Sequence, residues 1–254
     1  MDTPAIAAAL ARALRRATRV VALTGAGISA ESGVPTFRDA LTGLWAKFDP
    51  RELATPSAFA RNPKLVWDWY AARRETLAHV VPNPGHVALA RIEALVPDFL
   101  LATQNVDGLH ARAGSRLLVE LHGNIARVKC SREHRVVAHW AEPGDDLPPR
   151  CPHCGAFLRP DVVWFEESLP EDALARADAA ARRAEVMLVV GTSAEVWPAA
   201  GLAHTAKAAG ARLVEVNPET TPLSALADDV LRAPSGVALP ALVAAAWPDL
   251  PQAT

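Results

Sequence analysis

The chain has little cysteine, methionine or tyrosine and no long apolar run, and each scarcity excludes a class of protein. Of its 254 residues, 3 are cysteine, 2 are methionine and 1 is tyrosine. An odd and small cysteine count excludes the disulfide framework of a small secreted domain. No window reaches the roughly 18 uninterrupted apolar residues that a transmembrane helix needs, so we expect no membrane span.

The chain also lacks an excess of either charge. It has 26 basic and 28 acidic residues, and the basic ones are scattered, which predicts neither a nucleic-acid nor a membrane partner. The segment from Met1 to Arg19 carries four arginines and has no secretory apolar run or cleavage site, so we expect a cytoplasmic protein. Half of the chain is hydrophobic, which is enough for a sizeable core.

A glycine-containing turn follows the first predicted strand. Val20–Leu23 is apolar and β-branched, and the chain then continues through Gly25, Ala26 and Gly27. In a dinucleotide-binding turn the first glycine permits the tight turn and the second lets the main chain approach a pyrophosphate at the start of a helix. Ala30 stands where the third glycine of that fingerprint would be. An ordinary strand-to-helix turn is the alternative.

The segment after this turn predicts a loop over a ligand. Gly33 and Pro35 interrupt the expected helix soon after it begins. Phe37 and Arg38 follow on the loop, and their aromatic ring and fixed cation suit a nicotinamide ring and a phosphate.

Strands and helices alternate along the chain, which predicts an α/β fold with a Rossmann-like, doubly wound parallel sheet. Predicted strands are Val20–Leu23, Phe99–Thr103, Leu117–Leu121, Val186–Val190 and Leu213–Val216, and predicted helices are Pro4–Thr18, Pro84–Leu95, Ala199–Ala209 and Leu239–Ala246. Two insertions are expected to form a small lobe, one helical over about 42–83 and one metal-binding over about 127–160. The remainder, about 1–41, 84–126 and 161–254, forms the large lobe of a single domain.

Polar or small residues follow several of the predicted strands. Open α/β sheets bind ligands at the carboxyl ends of their strands. Because no good acidic candidate stands about twenty positions after Gly27, Asn217 is the better candidate for a ribose contact. The strand-end segments are Gln104-Asn105-Val106-Asp107, His122-Gly123-Asn124, Gly191-Thr192-Ser193 and Asn217-Pro218-Glu219.

The cysteines indicate a structural zinc site. Cys151 and Cys154 have the spacing of half a zinc knuckle. A partner cysteine for Cys130 would stand at 133, but that residue is glutamate. The predicted ligands are Cys130, His134, Cys151 and Cys154, with Glu133 and His153 as less favoured fourth ligands. The alternative is a lobe that holds zinc weakly or not at all.

Taken together, these motifs resemble the sirtuin family of NAD-dependent protein deacylases from about Val20 to Pro240. The matching segments are GAGISAESGVPTFRD at 25–39, TQNVD at 103–107, LHG at 121–123, CPHCGAFLRPDVVWF at 151–165, GTS at 191–193 and VNPE at 216–219. Six matches in order make a chance resemblance implausible.

The resemblance implies a role for individual residues. It makes His122 the catalytic base and puts Asn105 and Asp107 around the nicotinamide ribose and carboxamide, with Val163, Trp164 and Phe165 at the acyl-lysine peptide. Further NAD contacts implied are Gly25, Ala26, Gly27, Ala30, Phe37, Arg38, Gln104, Val106, Gly191, Thr192, Ser193, Asn217, Pro218, Glu219 and Ser235. The base would deprotonate a ribose hydroxyl after the acyl oxygen has displaced nicotinamide.

A second resemblance concerns the acyl group. Tyr70 and Arg73 match the Tyr-x-x-Arg signature of sirtuins that remove succinyl and malonyl groups, and at helical spacing they share a face. A hydroxyl and a cation would offset the desolvation of an acyl carboxylate. The alternative is a surface arginine beside a core aromatic. The chain departs from the family at Glu133 and at Glu166, where a glycine usually follows Trp-Phe.

The expected protein is therefore a monomeric deacylase that uses NAD, contains structural zinc and acts on acyl-lysine proteins. One rival is an ADP-ribosyltransferase or NAD hydrolase, which would release nicotinamide without acyl-lysine. The other is a non-catalytic NAD-sensing module, although binding alone needs no histidine base.

Overall fold

The computed structural model describes residues 6–34, 53–140 and 148–250. Six parallel strands form one sheet in the order β3-β2-β1-β6-β7-β8. With the separate β4-β5 pair left out, this is the 3-2-1-4-5-6 order of dinucleotide-binding folds. The strands are β1 (Arg19–Thr24), β2 (Asp98–Thr103), β3 (Leu118–Glu120), β4 (Gly123–Cys130), β5 (Leu158–Val162), β6 (Val186–Val190), β7 (Arg212–Val216) and β8 (Asp229–Leu231).

Helices cover both faces of the sheet. They are α1 (Ala8–Arg16), a 3₁₀ helix (Ala26–Ser32), α2 (Pro56–Arg61), α3 (Pro63–Ala78), α4 (Pro84–Leu95), α5 (Leu109–Arg112), α6 (Glu171–Ala181), α7 (Gly201–Ala208) and α8 (Ser235–Ala246). Because parallel strands are covered on both faces, they consist of almost continuous apolar residues; β6 is buried at all five positions.

Two cores lie on opposite faces of the sheet. Leu14, Leu89 and Leu242 belong to the core beneath α1, α4 and α8. Leu202 and Ala177 belong to the core beneath α6 and α7. Burial of these side chains supplies the main stabilisation of the parallel sheet.

The remaining elements form a smaller layered region. β4 and β5 pair antiparallel, with an irregularity between Asn124 and Val128. Trp69, Tyr70 and Trp164 pack in a core between α2, α3 and this strand pair. A threonine caps the start of α2 and an asparagine caps the start of α3. The Thr55 side chain accepts a hydrogen bond from Ala58 N–H, and the Asn62 side chain accepts one from Leu65 N–H.

No helix within the three described ranges is long and apolar enough to cross a membrane. α4 and β6 have the bounds that the sequence predicts. The start of the predicted large-lobe segment at about 161 does not join the six-stranded sheet: β5 ends at Val162 and pairs with β4.

Candidate active site

The strand-end segments singled out in the sequence meet at one edge of the sheet. Parallel pairing of β1 with both β2 and β6 puts their carboxyl ends side by side. Gln104 then donates its side-chain N–H to Thr192 Oγ1 at 3.0 Å, and Asn217 donates to the Thr192 carbonyl at 3.0 Å. Residues from three separate strand ends are therefore hydrogen-bonded to one another.

The two glycine turns at this edge interlock. Gly27 N–H donates to Gly191 O at 2.7 Å, and Gly25 N–H donates to Val190 O at 3.0 Å. A Cβ on Gly27 would lie 2.8 Å from Gly191 Cα, and Gly191 itself has φ +59°. The missing side chain of Gly27 thus permits contact with the neighbouring turn. Its close approach to a pyrophosphate stays a prediction.

Ser29 lies at the centre of a buried polar network. Its hydroxyl donates to Asp107 Oδ2 at 2.8 Å and accepts from Asn105 Nδ2 at 3.1 Å. His86 Nδ1 accepts the Asn83 backbone N–H, so its protonated Nε2 donates to Ser29 Oγ at 3.3 Å. The donor and the acceptor of each hydrogen bond in this network are therefore determined.

Burial sets the charge of these groups. It lowers the pKa of His86 to about 4, and it raises the pKa of Asp107 against hydrogen bonds from Leu109 and Ser29 that lower it. Asp107 and Asn105 are predicted from the sequence as site residues, whereas Ser29 and His86 are not. Both could have been noticed: Ser29 lies inside the glycine segment, and His86 occupies the third position of a helix capped by Asn83.

A second buried histidine lies beneath the site. Thr24 Oγ1 donates to Thr103 Oγ1 at 2.8 Å, so the 2.9 Å contact between Thr24 and His110 Nε2 has the imidazole as donor. The rings of His86 and His110 are 4.8 Å apart. Burial lowers the pKa of His110 to about 3, and repulsion from His86 when that ring is protonated acts in the same direction. Both rings are therefore neutral at pH 7.

His122 is held in the tautomer that a base requires. Its Nδ1 lies 2.8 Å from the Gln104 carbonyl oxygen, and because a carbonyl can only accept, Nδ1 carries the proton and Nε2 has a free lone pair. Burial lowers the pKa of His122, opposed by this carbonyl. The imidazole is therefore neutral and able to accept a proton at pH 7.

The predicted substrate residues divide between the interior and the surface. Trp164 is buried and its indole N–H donates to the Tyr70 hydroxyl oxygen (Oη) at 3.1 Å, whereas Phe165 is 42% exposed. Val163 N–H donates to His122 O at 2.9 Å, which joins this segment to the predicted base. Trp164 also stacks under the guanidinium of Arg159, which lies 3.2 Å from the ring centroid.

Tyr70 and Arg73 lie one turn apart on α3, as the sequence predicts. Arg73 is partly buried, with its guanidinium 5.0 Å from the Trp69 ring centroid. This position is compatible both with an acyl-binding role and with the alternative of an arginine beside a core aromatic. Burial raises the pKa of Tyr70 to about 12, which keeps its hydroxyl protonated.

The cysteine region brings together three thiols and one carboxylate. Ligand atoms of Cys130, Glu133, Cys151 and Cys154 all lie within 4.8 Å of one another. Zinc bound at about 2.3 Å to each sulfur separates tetrahedral sulfurs by about 3.8 Å, and Cys130 Sγ lies 3.4 Å from Cys154 Sγ. The donor set and its spacing therefore fit a structural zinc ion.

The fourth side chain differs from the predicted one. Glu133 stands three residues after Cys130, the same spacing as Cys151 to Cys154, and its N–H donates to Cys130 Sγ at 3.4 Å. His134 follows with φ +56° and is exposed. The turn that returns residue 133 to the thiols thus carries residue 134 away, and His153 is also outside the cluster.

Other predicted contacts have varied positions. Ser235 is buried at the start of α8, where its hydroxyl contacts Glu31 and the Ile28 carbonyl. Ala26, Ala30, Ser193, Pro218 and Glu219 are exposed at the strand-end edge, and Val106 is partly buried. Phe37 and Arg38 lie outside the described residues.

This edge suits an elongated polar ligand that lies across several strand ends. The glycines of its two interlocked turns have no side chains. Amide, carboxylate and imidazole groups lie along the same edge, and they belong to Gln104, Asn105, Asp107, His122 and Asn217. A dinucleotide has this form, and the crevice outside the strand ends is where open α/β sheets bind one.

Comparisons with known proteins agree with this geometry. The model of the Sir2 family matches residues 25–198. An NAD-dependent protein deacylase of Aquifex aeolicus (strain VF5) is 56% identical over 82% of this chain and 87% of its own length. One from Ralstonia nicotianae (strain ATCC BAA-1114 / GMI1000) is 54% identical over 94% of this chain and 97% of its own.

A solved structure is similar over almost its full length. The crystal structure of a Sir2 homolog-NAD complex has a TM-score of 0.88 and 44% sequence identity, and the match covers 96% of this chain and 94% of that one. The six-stranded sheet, the strand-end network and these similarities have one explanation: the chain belongs to the Sir2 family.

Proposed function

We propose that this protein is an NAD-dependent protein-lysine deacylase. The observation that carries the proposal is His122, whose Nδ1 is committed to the Gln104 carbonyl and whose Nε2 is free to accept a proton. It stands beside the Asn105–Ser29–Asp107 network at the edge where a dinucleotide would lie. The names of the relatives support the same activity.

NAD would supply a ribose carbon that accepts the acyl oxygen as nicotinamide departs. The residues that would hold it are the Gly25–Gly27 turn, Gln104, Asn105, Asp107 and the strand ends at Gly191 and Asn217, with Phe37, Arg38 and the other contacts implied by the family. His122 Nε2 would take the proton of a ribose hydroxyl so that this oxygen can receive the acyl group. One water molecule is consumed in the reaction, and the products are nicotinamide, the lysine amine and an acyl-ADP-ribose.

The experiment is nicotinamide release by purified protein with NAD and a peptide that carries acetyl-lysine or succinyl-lysine. We expect release to depend on the acylated peptide and to be lost in His122→Ala, while NAD binding by calorimetry is retained. His79→Ala, at an exposed histidine, is the matched control. Release at the same rate without peptide would instead indicate an NAD hydrolase.

For the acyl group, we propose that Tyr70 and Arg73 read a terminal carboxylate of the succinyl or malonyl type. Because Trp164 N–H already donates to the Tyr70 oxygen, the tyrosine has its own proton to donate to such a group. Arg73→Met should lower kcat/KM for succinyl-lysine by roughly tenfold or more, as expected for a lost charged hydrogen bond. It should change deacetylation much less; equal losses for both peptides would contradict this role.

The remaining parts of the proposal are the zinc lobe and the state of the protein. Cys130, Glu133, Cys151 and Cys154 would bind a zinc ion with four protein ligands, which leaves no position for catalytic water. The division into a large lobe and a small lobe over about 42–83 and 127–160, a monomeric state and a cytoplasmic location belong to the same proposal. Sedimentation at assay concentrations tests the monomer.

A further inference from the structure

The loop that follows β7 is held by a buried ionic network. Glu215, the residue before the last one in β7, is only 1% exposed. Its carboxylate accepts hydrogen bonds from the hydroxyls of Thr221 and Ser224, which lie farther along the chain. A buried carboxylate is tolerated only when it is paired and hydrogen-bonded, and its charged partner is Arg232, 3.2 Å away.

Arg232 connects this carboxylate to the loop main chain. Its Nη1 donates to Glu219 O at 2.6 Å and to Asn217 O at 3.2 Å, and its Nη2 donates to Ser224 Oγ at 2.7 Å. One guanidinium therefore spans both ends of the Asn217-Pro218-Glu219 segment. A planar fork of donors can do this, whereas a lysine ammonium has a single donor atom.

The segment that Arg232 holds is the one that would bind the adenosine ribose. Asn217 is nearly buried, its Nδ2 donates to Thr192 O, and its Oδ1 accepts from Glu219 N–H at 3.1 Å. If the loop carbonyls at 217 and 219 move, the amide at 217 loses its orientation towards the second glycine turn.

We propose that Arg232, fixed by Glu215, is a positioning residue that sets the Asn217 loop for the adenosine half of the dinucleotide. This inference rests on the proposed NAD-dependent function. Arg232 acts on affinity for the nucleotide and not on the chemical step, since it lies on β8's carboxyl side and touches no residue of the Ser29 or His122 networks.

Arg212, on the same strand as Glu215, provides a matched control. Its guanidinium makes a two-bond pair with Asp229 at 2.6 and 3.0 Å, and its side chain is 32% exposed against 36% for Arg232. It stands at the amino end of β7, whereas Asn217 follows the carboxyl end. Loss of Arg212 therefore removes a comparable ion pair without disturbing the loop.

The experiment measures ADP-ribose and NAD binding by calorimetry, steady-state kinetics and thermal unfolding for the unmodified protein, Arg232→Met, Arg232→Lys and Arg212→Met. We expect Arg232→Met to weaken both ligands and raise KM for NAD about tenfold, the effect of losing one charged hydrogen bond. kcat at saturating NAD and KM for the peptide should change less than about twofold. Arg232→Lys should lie between, because it keeps the charge near Glu215 but cannot span two carbonyls.

Nucleotide affinity in Arg232→Met or Arg232→Lys equal to that of the unmodified protein would overturn the inference. So would an equal loss in Arg212→Met, because the effect would then be general destabilisation. If Arg232→Met fails to fold, the lysine variant decides between these results. An unmodified protein that binds neither nucleotide would overturn the proposed function itself, a result distinct from binding that is insensitive to Arg232.

Discussion

Ser29 and His122 show how single hydrogen bonds fix chemistry at the residue scale. Ser29 can donate its one proton only once, and it gives it to Asp107 because its other two neighbours are donors. His122 donates a hydrogen bond from Nδ1 to a backbone carbonyl oxygen. This oxygen is always an acceptor, because a backbone carbonyl does not change its protonation state with pH. This contact leaves Nε2 as the nitrogen that would act as the base in the proposed reaction.

The pH dependence of the reaction follows from His122. Burial moves its pKa below the ordinary value of 6.5, so the fraction of active base stays high at pH 7 and falls only in acid. A profile of kcat/KM against pH should show an acidic limb with its midpoint below 6.5. A midpoint near 7 or above would mean that the imidazole is stabilised in its charged form.

Glu166 is one of three non-glycine residues in the described part of the chain that have a positive φ. Its φ is +73°, in the left-handed region, which costs a residue with a side chain roughly 1 kcal/mol relative to glycine. We therefore expect Glu166→Gly to be more stable than Glu166→Ala by about 1 kcal/mol, the reverse of the usual preference. Chemical denaturation of both variants checks this, and an alanine variant as stable as the glycine one would contradict it.

At the scale of elements, the β4-β5 pair and its two turns carry the four residues that are proposed to bind zinc. Cys130 ends β4, and Cys151 and Cys154 form the turn shortly before β5 begins. Each turn returns the chain after three residues, so position 133 and not 134 reaches the thiols. Carboxylate oxygen is a less common ligand for structural zinc than sulfur or imidazole nitrogen. Glu133 is therefore the position at which a substitution is expected to change zinc affinity most clearly.

Substitution at 133 should change how tightly zinc is held. We expect Glu133→Ala to release zinc to a chromogenic chelator faster than the unmodified protein and to melt at lower temperature, and Glu133→Cys to release it more slowly. His134→Ala, one residue away, should change neither quantity. Zinc loss from the histidine variant as fast as from Glu133→Ala would restore the ligand set that the sequence predicted.

At the scale of the whole molecule, the site is built on the most buried part of the sheet. His86 and His110 lie under the strand ends with 0% and 2% of their surfaces exposed, and each arrives from a different helix, α4 and α5. The same burial that orders the Ser29 network keeps both imidazoles uncharged. The same two residues therefore support the geometry of the candidate site and contribute to the stability of the whole fold.

Acid should destabilise the protein through this pair. Their folded pKa values, about 4 and about 3, are below the ordinary 6.5, so their contribution is complete above 6.5 and is lost as pH falls from 6.5 towards the folded values. Each such histidine lowers the free energy of unfolding by about 1.4 kcal/mol per pH unit in that window. His110→Gln should reduce the slope of unfolding free energy against pH by about that amount, and an unchanged slope would contradict the burial argument.

The sequence by itself determined the architecture and the location of the candidate site. Apolar runs of four or five residues, each ended by glycine or a polar group, predicted five of the six strands of the parallel sheet, and α4 and β6 have their predicted bounds. The short strand β8 was not predicted. The family motifs identified the residues at the strand ends. Local patterns suffice here because burial on two faces demands apolar strands, and tight turns demand glycine. The sequence analysis gave no helix at Glu171–Ala181, whose alanine-rich face gives only a weak apolar stripe.

Only the tertiary structure decided which atoms meet across long chain separations. Distances between separate elements bring the two glycine turns into contact and put Glu133, not His134, beside the thiols. They also determine the proton positions of Ser29 and His122, and they let Arg232 bond both ends of the Asn217 loop. Sequence spacing predicts neighbours within one helix or turn, but packing of whole elements sets the rest. Hydrogen-bond direction and pKa follow from that packing, since both depend on how completely water is excluded from a group.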